Sequence, residues 1–581
     1  MNEQRFSLPL LTVMAGLVLA GQALVVTAEM SVPRQDESPL ERAPGAPHTA
    51  DQDGDGHIEL PELLRIIQFY TTGGFHCQAG TEDGYAPGAG GDTSCAVHAS
   101  DYDTQDWSIE LGELLRLIQF YNGGGCRPCV DTEDGFCVGA NPPNVVYFVL
   151  DALRDDRVGA RRNDVPITPF LEACAARGVR FTRASAPASW TRPSMAAIFS
   201  GMYPDIFQGD EDTPMEERFI VPPDVETIGE WFTGNGYDAW GIQTNANASA
   251  TYGLGQGFPE GRYRFISFVP AAQVNAAVLE NIDEWQEPFF VFAQYVDPHA
   301  TYVPPPGYNE VFGPQPEITP YDEFVLAHEN WGDFSQDLYL SWVNNTPPTW
   351  QPLSANGIEA LRYRYDAETR YMDDELANVA AAIETRYPNT IFVLMADHGE
   401  ALLERDIVGH GTSLYEEQAR IPLILFGPGI AHQTIDAPVD ALGLLPTLAK
   451  LLHFAPNPEW HGRDLLAPPP DQEPIFCYTR NRHLQGASVL MDGLKLIEHT
   501  RYPSPQLFNL QEDPGEVNDL SGALIADVIR LTNILKTHQA GMTARYAESK
   551  APLPDDIRQQ LEAMGYITAD EAPPPPDSCP H

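Results

Sequence analysis

Three short stretches of the chain carry side chains that together could activate a hydroxyl group. Thr191 lies in the stretch SWTRPSM, Asp397 and His398 open the stretch DHGE, and His410 stands between two glycines. A hydroxyl is a weak nucleophile at neutral pH, so it needs a base or a metal ion that lowers its pKa. Asp397 and His398 are a ligand pair suited to such an ion. The three stretches therefore predict a metal-activated threonine nucleophile that attacks an anionic ester.

Apolar runs rich in β-branched residues predict the elements that must bring these side chains together. The runs occupy residues 145–150, 289–296, 391–396 and 423–426, and helical patterns such as residues 359–386 separate them. This alternation predicts an α/β fold with a buried, mostly parallel sheet flanked by helices. Functional groups gather at the carboxyl ends of such strands, where Asp151, Asp297 and Asp397 lie. We therefore expect these three acids to converge.

The motifs also follow one another in the order of a known family. The run that ends at Asp151, the stretch around Thr191, the triplet Asp297-Pro298-His299, the stretch at Asp397 and the tail at residues 507–516 occur in that order. Together they resemble the sulfatase family of the alkaline phosphatase superfamily, over residues 144–567. The resemblance implies an alkaline-phosphatase-like fold, and a change of pattern from residue 475 onward predicts a smaller C-terminal α+β subdomain.

The resemblance implies a role for each site residue. One divalent metal ion is expected on four ligands: Asp151, Thr191, Asp397 and His398. Thr191 would be both ligand and nucleophile, because a cation that holds an alkoxide also neutralises a substrate oxygen. His299 and His410 would bind the remaining substrate oxygens or protonate the leaving group; with Asp297 they could instead build a second metal site. We prefer the first assignment, because Asp-Pro-His lacks the longer spacing of two-metal members. Arg192 and Asp297 are predicted to contact the substrate.

Three departures from the sulfatase pattern bear on the reaction. Sulfatases convert a cysteine or serine at the position of Thr191 into formylglycine, and threonine cannot form that aldehyde. Met195 stands where the family has an arginine, and Ala152 replaces a second acid. The resulting ligand set is similar to that of the phosphoryl-transferring relatives. It favours manganese, magnesium or zinc over the calcium of sulfatases.

Three functions follow as hypotheses. The leading one is a secreted, metal-dependent, sulfatase-like hydrolase that cleaves a phosphate, phosphodiester or phosphonate ester of a small molecule or glycan through Thr191. The second is hydrolysis of an extracellular sulfate ester. The third is a catalytically silent protein that binds or assembles at a surface through calcium. A polar segment with Asn245 and Asn247 is interpreted as a surface loop in preference to a pocket wall.

Charge and the N-terminal segment set the expected location. The chain of 581 residues carries 34 Lys and Arg against 82 Asp and Glu, a formal net charge of −48. Such a charge disfavours nucleic acid and anionic membranes as partners. Residues 8–28 form an apolar stretch after Arg5, which indicates a secretory signal peptide, with an uncleaved membrane anchor as the alternative. We expect a secreted, periplasmic or cell-surface protein.

An internal repeat precedes the catalytic region. Residues 63–70 recur as residues 114–121 with a shift of 51 positions. The first copy has the spacing of an EF-hand calcium loop, in which oxygen donors wrap the ion. Its candidate residues are Asp51, Asp53, Asp55, His57, Glu59 and Glu62. The second copy fits only with one extra residue in its loop, and its candidate calcium ligands are Asp101, Asp103, Asp106 and Glu113. The pair resembles dockerin and EF-hand repeats and would bind a protein partner or serve as a calcium-stabilised spacer.

Length and cysteine usage suggest the domain plan. A chain of this length exceeds a single core, so two or more domains are expected. Five of the eight cysteines lie before the catalytic region, where their pairing is open, whereas Cys174 is predicted to be an inert core thiol. The expected segments are a signal peptide at 1–28, a linker at 29–48, the calcium repeats at 49–140, the catalytic domain at 141–473, the C-terminal subdomain at 474–567 and a disordered tail at 568–581.

Overall fold

The structure of the chain is a computed structural model, and it divides into two compact units, Met1–Ala140 and Asn141–His581. The residues that it describes are 48–51, 58–81, 83–102, 105–122, 126–128, 136–138, 142–209, 218–344, 346–467, 473–481, 484–542, 544 and 554–563. The predicted signal peptide, nearly all of the predicted linker and the predicted disordered tail lie outside these ranges. Within these ranges, no helix has both the length and the apolar character needed to span a bilayer.

The first unit contains two helices and two small hairpins. Its elements are α1 (Leu60–Thr71), β1 (Phe75–Cys77), β2 (Tyr85–Pro87), α2 (Leu111–Asn122), β3 (Cys126–Pro128) and β4 (Phe136–Val138). The apolar residues of both helices recur at helical spacing, and Ile66, Phe69, Leu117 and Phe120 are buried in one core. A disulfide between Cys77 and Cys95 closes the segment between the helices.

The two halves of this unit repeat each other in backbone detail. The amide of Asp51 donates to the carbonyl of His48, and the amide of Asp101 donates to the carbonyl of His98. These turns are 50 positions apart, whereas the helices are 51 positions apart. The second loop therefore contains one residue more than the first, as the sequence pattern requires.

The second unit is a large α/β domain with a smaller C-terminal sheet. Its strands are β5 (Asn144–Leu150), β6 (Arg161–Arg162), β7 (Val165–Pro166), β8 (Val179–Ser185), β9 (Asp238–Gln243), β10 (Tyr263–Phe265), β11 (Phe289–Tyr295), β12 (Thr390–Ala396), β13 (Ala401–Leu402), β14 (Val408–Gly409), β15 (Arg420–Phe426), β16 (Gln433–Ile435), β17 (Val439–Asp440), β18 (Ile475–Asn481), β19 (Leu484–Met491), β20 (Leu494–His499) and β21 (Gln506–Asn509).

Eleven α-helices of this unit lie within the described residues. They are α3 (Pro169–Arg177), α4 (Thr191–Ser200), α5 (Ile228–Gly234), α6 (Ala271–Leu279), α7 (Pro320–Val325), α8 (His328–Asn344), α9 (Ala355–Arg386), α10 (Glu416–Ala419), α11 (Leu444–Leu451), α12 (Ile525–Gly541) and α13 (Asp555–Ala563). The long helix α9 begins where the Ser354 hydroxyl accepts a hydrogen bond from the Gly357 amide at 3.0 Å. It ends just before Pro388, because proline disfavours a helical residue in front of it.

The central sheet has nine strands in the order β10-β9-β11-β5-β12-β15-β8-β16, with β17 also beside β8. Neighbouring strands are parallel except at β15, which runs antiparallel to both β12 and β8. Every residue of β5, β11 and β12 is buried, as expected for strands covered on both faces. The predicted α/β fold with a mostly parallel sheet is confirmed, and the run at residues 423–426 is its antiparallel strand.

The C-terminal sheet is an antiparallel meander in the order β18-β19-β20-β21. Helix α12 packs on it through Leu531 and Leu535, which are fully buried. Lys495 on β20 is buried at an exposure of 3% between the carboxylates of Glu416 and Glu516, at 2.8 and 3.0 Å. The ion pair between Lys495 and Glu416 connects the small sheet to α10, the short helix directly before β15.

Candidate active site

Two aspartates and a histidine meet at the carboxyl ends of two adjacent strands. Strands β5 and β12 are parallel, and Leu150 lies opposite Ala396 in their register. Asp151 and Asp397, the next residue of each strand, are therefore neighbours. One ligand atom from each of Asp151, Asp397 and His398 lies within 4.8 Å of the others, and all three residues are buried.

Each of these carboxylates has one satisfied oxygen and one oxygen without a hydrogen bond. Oδ1 of Asp397 accepts from the amides of Ala152 at 3.3 Å and His398 at 2.9 Å. Oδ2 of Asp151 accepts from the side-chain amide of Asn245 at 2.8 Å. The other oxygens, Oδ1 of Asp151 and Oδ2 of Asp397, are buried without a hydrogen-bond partner and each lies 3.5 Å from Nε2 of His398. Two acceptor oxygens and a ring nitrogen thus face one point.

The tautomer of His398 completes this arrangement. Its Nδ1 lies 2.9 Å from the carbonyl oxygen of Gly399, which can only accept a hydrogen bond. The ring proton therefore resides on Nδ1, and Nε2 presents its lone pair to the two carboxylates.

Burial sets the pKa values of this cluster. Loss of solvent raises the pKa of Asp151 to about 7, and repulsion from Asp397 adds to the shift. Loss of solvent likewise raises the pKa of Asp397 to about 7 and lowers the pKa of His398 to about 3. Neither carboxylate pairs with a lysine or arginine among the described residues. Two buried acids without a cationic side chain call for a cation from outside the chain.

The residues fit a divalent metal ion. Two carboxylate oxygens and one imidazole nitrogen converge within 4.8 Å, and the orphaned oxygens have no other buried partner. Carboxylate oxygens and imidazole nitrogens are common protein ligands of divalent metal ions. The group formed by Asp151, Asp397 and His398 is called the metal cluster below.

Thr191 lies beside the metal cluster at the first turn of α4. Its Oγ1 is 3.2 Å from Nε2 of His398, and the residue is fully buried. The hydroxyl of Ser194 donates to the carbonyl of Asp397 at 2.6 Å and so fastens α4 to the loop after β12. The N-terminal end of a helix carries a partial positive charge, which stabilises a negative charge on the threonine oxygen.

His299 and His410 lie beside the metal cluster. The ring centroid of His410 is 4.3 Å from that of His398 and 4.8 Å from that of His299. His299 is 8% exposed, and its Nδ1 lies 2.8 Å from the carbonyl of Ala300. Nδ1 of His410 lies 3.2 Å from the buried carboxylate of Glu400. The structure thus brings both predicted histidines to the cluster.

The glycines on either side of His410 allow this approach. Gly409 has a φ of 83° and Gly411 a φ of 70°, values that are strained for other residues. A Cβ at position 411 would also lie 3.1 Å from the Cβ of Trp190. The loop can therefore approach Trp190, just before α4, this closely only with glycine at position 411.

Asp297 and Arg192, the predicted substrate contacts, have other partners in the structure. Oδ2 of Asp297 accepts from the amide of Ala271 at 2.8 Å, at the start of α6, so this acid does not join the metal cluster. Arg192 is fully buried, donates to Oδ1 of Asn247 at 2.8 Å, and lies 4.1 Å from the ring centroid of Tyr252. The expected convergence of three acids is thus corrected to two, and a substrate role for either residue stays a prediction without support from these contacts.

Sequence reasoning misplaced one functional segment and missed another residue. Asn245 and Asn247 were expected in a surface loop, but both are fully buried, so that interpretation is wrong. Nδ2 of Asn245 lies 3.4 Å from Oγ1 of Thr191. Gln294, a polar residue inside the apolar strand β11, donates to Oδ2 of Asp151 at 3.1 Å. A signal for Gln294 was available in the sequence, because a buried amide inside an apolar strand needs a polar partner. In the structure β11 lies directly beside β5, with β9 on its other side.

The candidate calcium residues of the first unit are only partly described. Asp53, Asp55, His57 and Asp103 lie outside the described residues. Asp51, Glu62, Asp101 and Glu113 are buried, whereas Glu59 and Asp106 are exposed. Burial and the neighbouring acids Glu113 and Asp106 raise the pKa of Asp101 to about 6. Glu62 and Glu113 each accept the amide three residues before, at 2.8 and 2.9 Å.

Comparison with known proteins identifies the family. A profile of the sulfatase family matches residues 143–454. A delta 4,5-hexuronate-2-O-sulfatase of Bacteroides thetaiotaomicron is 27% identical over 464 residues, which are 72% of this chain and 90% of that protein.

Solved structures share the fold. A 2-O GAG sulfatase superposes with a TM-score of 0.53 at 21% identity, over 69% of this chain and 93% of that one. A phosphonate monoester hydrolase from Silicibacter pomeroyi superposes with a TM-score of 0.54 at 20% identity, over 68% of this chain and 95% of that one. With the matching profile over more than half of its length, the chain belongs to the sulfatase family of ester hydrolases.

Proposed function

We propose that this protein is a metal-dependent hydrolase that cleaves a phosphate, phosphodiester or phosphonate ester through Thr191. One observation carries the proposal: the Thr191 hydroxyl lies 3.2 Å from Nε2 of His398, at the point that the orphaned oxygens of Asp151 and Asp397 also face. A cation bound there would lower the pKa of the hydroxyl and neutralise charge on the substrate. Asp151, Asp397, His398 and Thr191 would hold it, and manganese, magnesium or zinc is preferred over calcium.

The chain's own groups supply the remaining steps. The oxygen of Thr191 forms a bond to phosphorus, and the bond from phosphorus to the leaving oxygen breaks. His299 and His410 bind the other substrate oxygens or protonate the leaving oxygen, since both rings border the cluster. The contact of Nδ1 of His410 with the carboxylate of Glu400 orients this ring beside His398. Water then cleaves the threonine ester and restores the hydroxyl.

Sulfate-ester hydrolysis is the second candidate, because a relative of this chain is named as a sulfatase. It is less favoured on chemical grounds. Threonine has no aldehyde form, so a sulfated Thr191 would have to be released by direct attack of water. A catalytically silent protein is least favoured, because the buried acids would then have no cation to offset the cost of their burial.

The first unit is proposed to bind calcium and to hold a protein partner or act as a spacer. Oδ1 of the buried Asp101 has no hydrogen-bond partner, and the buried Glu113 lies in the first turn of the helix that follows this loop, α2. An oxidising location, outside the cytoplasm, is proposed because Cys77 and Cys95 form a disulfide. Calcium binding is tested by calcium titration of the full chain and of its Asp101→Asn variant. An unchanged number of bound ions in the variant would argue against calcium binding by the second loop.

The reaction is tested by comparing the purified protein with Thr191→Ala on aryl phosphate, bis-aryl phosphate, phosphonate and sulfate esters. Each ester is assayed with manganese, zinc, magnesium, calcium or a chelator. We expect metal-dependent turnover of at least one phosphorus ester, and its loss in Thr191→Ala by a factor of at least about 10³. Turnover of the sulfate ester alone would replace the first candidate with the second.

A further inference from the structure

One carboxylate oxygen of the metal cluster is held by two side-chain amides. Oδ2 of Asp151 accepts from Nδ2 of Asn245 at 2.8 Å and from Nε2 of Gln294 at 3.1 Å. All three residues are fully buried. Asn245 follows β9 and Gln294 lies on β11, so the two donors come from the neighbouring strands of the sheet.

The orientation of both amides is fixed by the backbone around them. The amide of Asn247 donates to Oδ1 of Asn245 at 3.0 Å, which directs the NH₂ group of Asn245 toward Asp151. The amide of Asn245 donates to Oε1 of Gln294 at 3.4 Å, which directs the NH₂ group of Gln294 to the same carboxylate. A flipped amide would place two acceptors face to face, so only this orientation satisfies the network.

We propose that Asn245 and Gln294 form an amide clamp that fixes the Asp151 carboxylate so that its Oδ1, and not its Oδ2, is presented to the metal ion. Both are positioning residues. The inference rests on the proposed function, because it assumes that a divalent cation binds to the metal cluster.

The two acids of the cluster differ in how they are held, and this makes the clamp testable. Oδ1 of Asp397 accepts hydrogen bonds from the backbone amides of Ala152 and His398. Substitutions at Asn245 and Gln294 leave both of these backbone donors in place. Oδ2 of Asp151 has only side-chain donors among the described residues. Substitution can therefore release Asp151 while Asp397 stays fixed.

Asn245 also links the clamp to the nucleophile. The same Nδ2 lies 3.4 Å from Oγ1 of Thr191, a long contact that leaves the donor mainly on Asp151. Loss of this amide thus affects the position of the acid and, more weakly, that of the hydroxyl. Among the described residues no hydrogen bond joins Gln294 to Thr191, so substitution of Gln294 isolates the effect on Asp151.

The test measures Mn²⁺ and Zn²⁺ affinity by isothermal titration calorimetry on the full chain, apart from any activity. Asn245→Ser keeps an oxygen to accept the Asn247 amide while removing the NH₂ donor, and Gln294→Leu removes the second donor. Signal that persists in Asp397→Asn is subtracted, since it belongs to other sites. Substitutions of groups that orient metal ligands weaken metal binding by about 10–100-fold, so each single variant is expected to lose about tenfold.

The double variant that combines Asn245→Ser with Gln294→Leu distinguishes positioning of Asp151 from an unspecific loss of structure. With one donor lost the other still holds Oδ2, but with both lost a buried anionic oxygen has no donor, so the combined loss should exceed the product of the single losses. The matched control is Asn275→Ala. Asn275 is a buried amide on α6 that bonds to Glu375 on α9 and to Tyr295 on β11. Its loss should leave metal affinity within about twofold and combine with Gln294→Leu as a simple product.

The outcomes distinguish the clamp from the proposed function. No metal binding by the unsubstituted protein at this cluster would refute the proposed function. Metal binding that stays within about twofold in both single variants, or a double loss no larger than the product, would refute the clamp alone. If thermal unfolding shows that Asn245→Ser does not fold, the metal affinity of Gln294→Leu is compared with that of Asn275→Ala, and an equal affinity of the two variants refutes the clamp.

Discussion

Metal binding should control the thermal stability of the catalytic unit, and the effect of one substitution on that stability should change sign when metal is added. Oδ1 of Asp151 and Oδ2 of Asp397 are buried, charged at alkaline pH and without hydrogen bonds. An unsatisfied buried polar atom costs about 1–3 kcal/mol, and more when charged, so the pair costs roughly 2–6 kcal/mol in the metal-free protein. A bound cation removes this cost and adds its own binding energy.

Asp397→Asn removes one of the two charges while keeping an oxygen to accept the Ala152 and His398 amides. The new NH₂ group takes the place of the oxygen that has no hydrogen bond in the parent. Because the ligand atoms of the cluster lie within 4.8 Å of one another, this NH₂ group faces the carboxylate of Asp151. We therefore expect the metal-free variant to be more stable than the metal-free parent by about 1–3 kcal/mol. The parent should be the more stable protein once metal is added, because the variant has lost a ligand.

The assay is thermal unfolding at pH 8 with chelator and with manganese, zinc, magnesium or calcium. With an unfolding entropy of about 2.1 cal/mol/K per residue, a unit as long as Asn141–His581 shifts its Tm by about 1 °C for each kcal/mol, so shifts of about 1–3 °C are expected. Asp373→Asn is the control, since Asp373 is also fully buried but accepts the amides of Phe170 and Leu171 at 2.7 and 2.9 Å, away from the cluster. Its response to chelator should equal that of the parent. The reasoning fails if no metal raises the Tm of the parent, or if metal-free Asp397→Asn is less stable than the metal-free parent.

Thr191→Ser should retain more metal-dependent turnover than Thr191→Ala in the ester assays, because it keeps the hydroxyl; equal loss in both would contradict a nucleophilic role. Lys495→Met should lower the free energy of unfolding by about 3–5 kcal/mol in denaturant titrations, since Glu416 and Glu516 would be left buried without their cation; a change below about 1 kcal/mol would show that the ion pair is not structurally important. His538 stacks 3.6 Å from the ring centroid of Phe476, and burial lowers its pKa from 6.5 to about 4. The unfolded chain therefore takes up a proton that the folded chain excludes, so stability falls as pH drops from 6.5 toward 4, and His538→Phe should flatten that decline in Tm; an identical pH profile would exclude this histidine as a cause.

The sequence carried much of the fold because its signals are local. Apolar runs and their periodicity placed the buried strands β5, β11 and β12 and the long helix α9 within a few residues of their observed bounds. Asp151 and Asp397 could be predicted as neighbours, because each directly follows a strand and parallel strands end at one edge of a sheet. The motif order identified the family, which the matching profile confirms. The direction of β15 was not predictable, since an apolar run looks the same in either direction.

Residue types and spacing alone thus determined which groups have the chemistry: a hydroxyl, two acids and three histidines near the ends of predicted strands or in glycine-flanked turns. The tertiary structure decided which of them face one point. Asp297 accepts a hydrogen bond at the start of a helix and does not join the metal cluster. Asn245 and Gln294, which are distant from Asp151 in sequence, donate hydrogen bonds to its carboxylate. The physical reason is that a buried polar atom must find a partner, and which partner lies within hydrogen-bond distance depends on strand order, which no short stretch of sequence encodes.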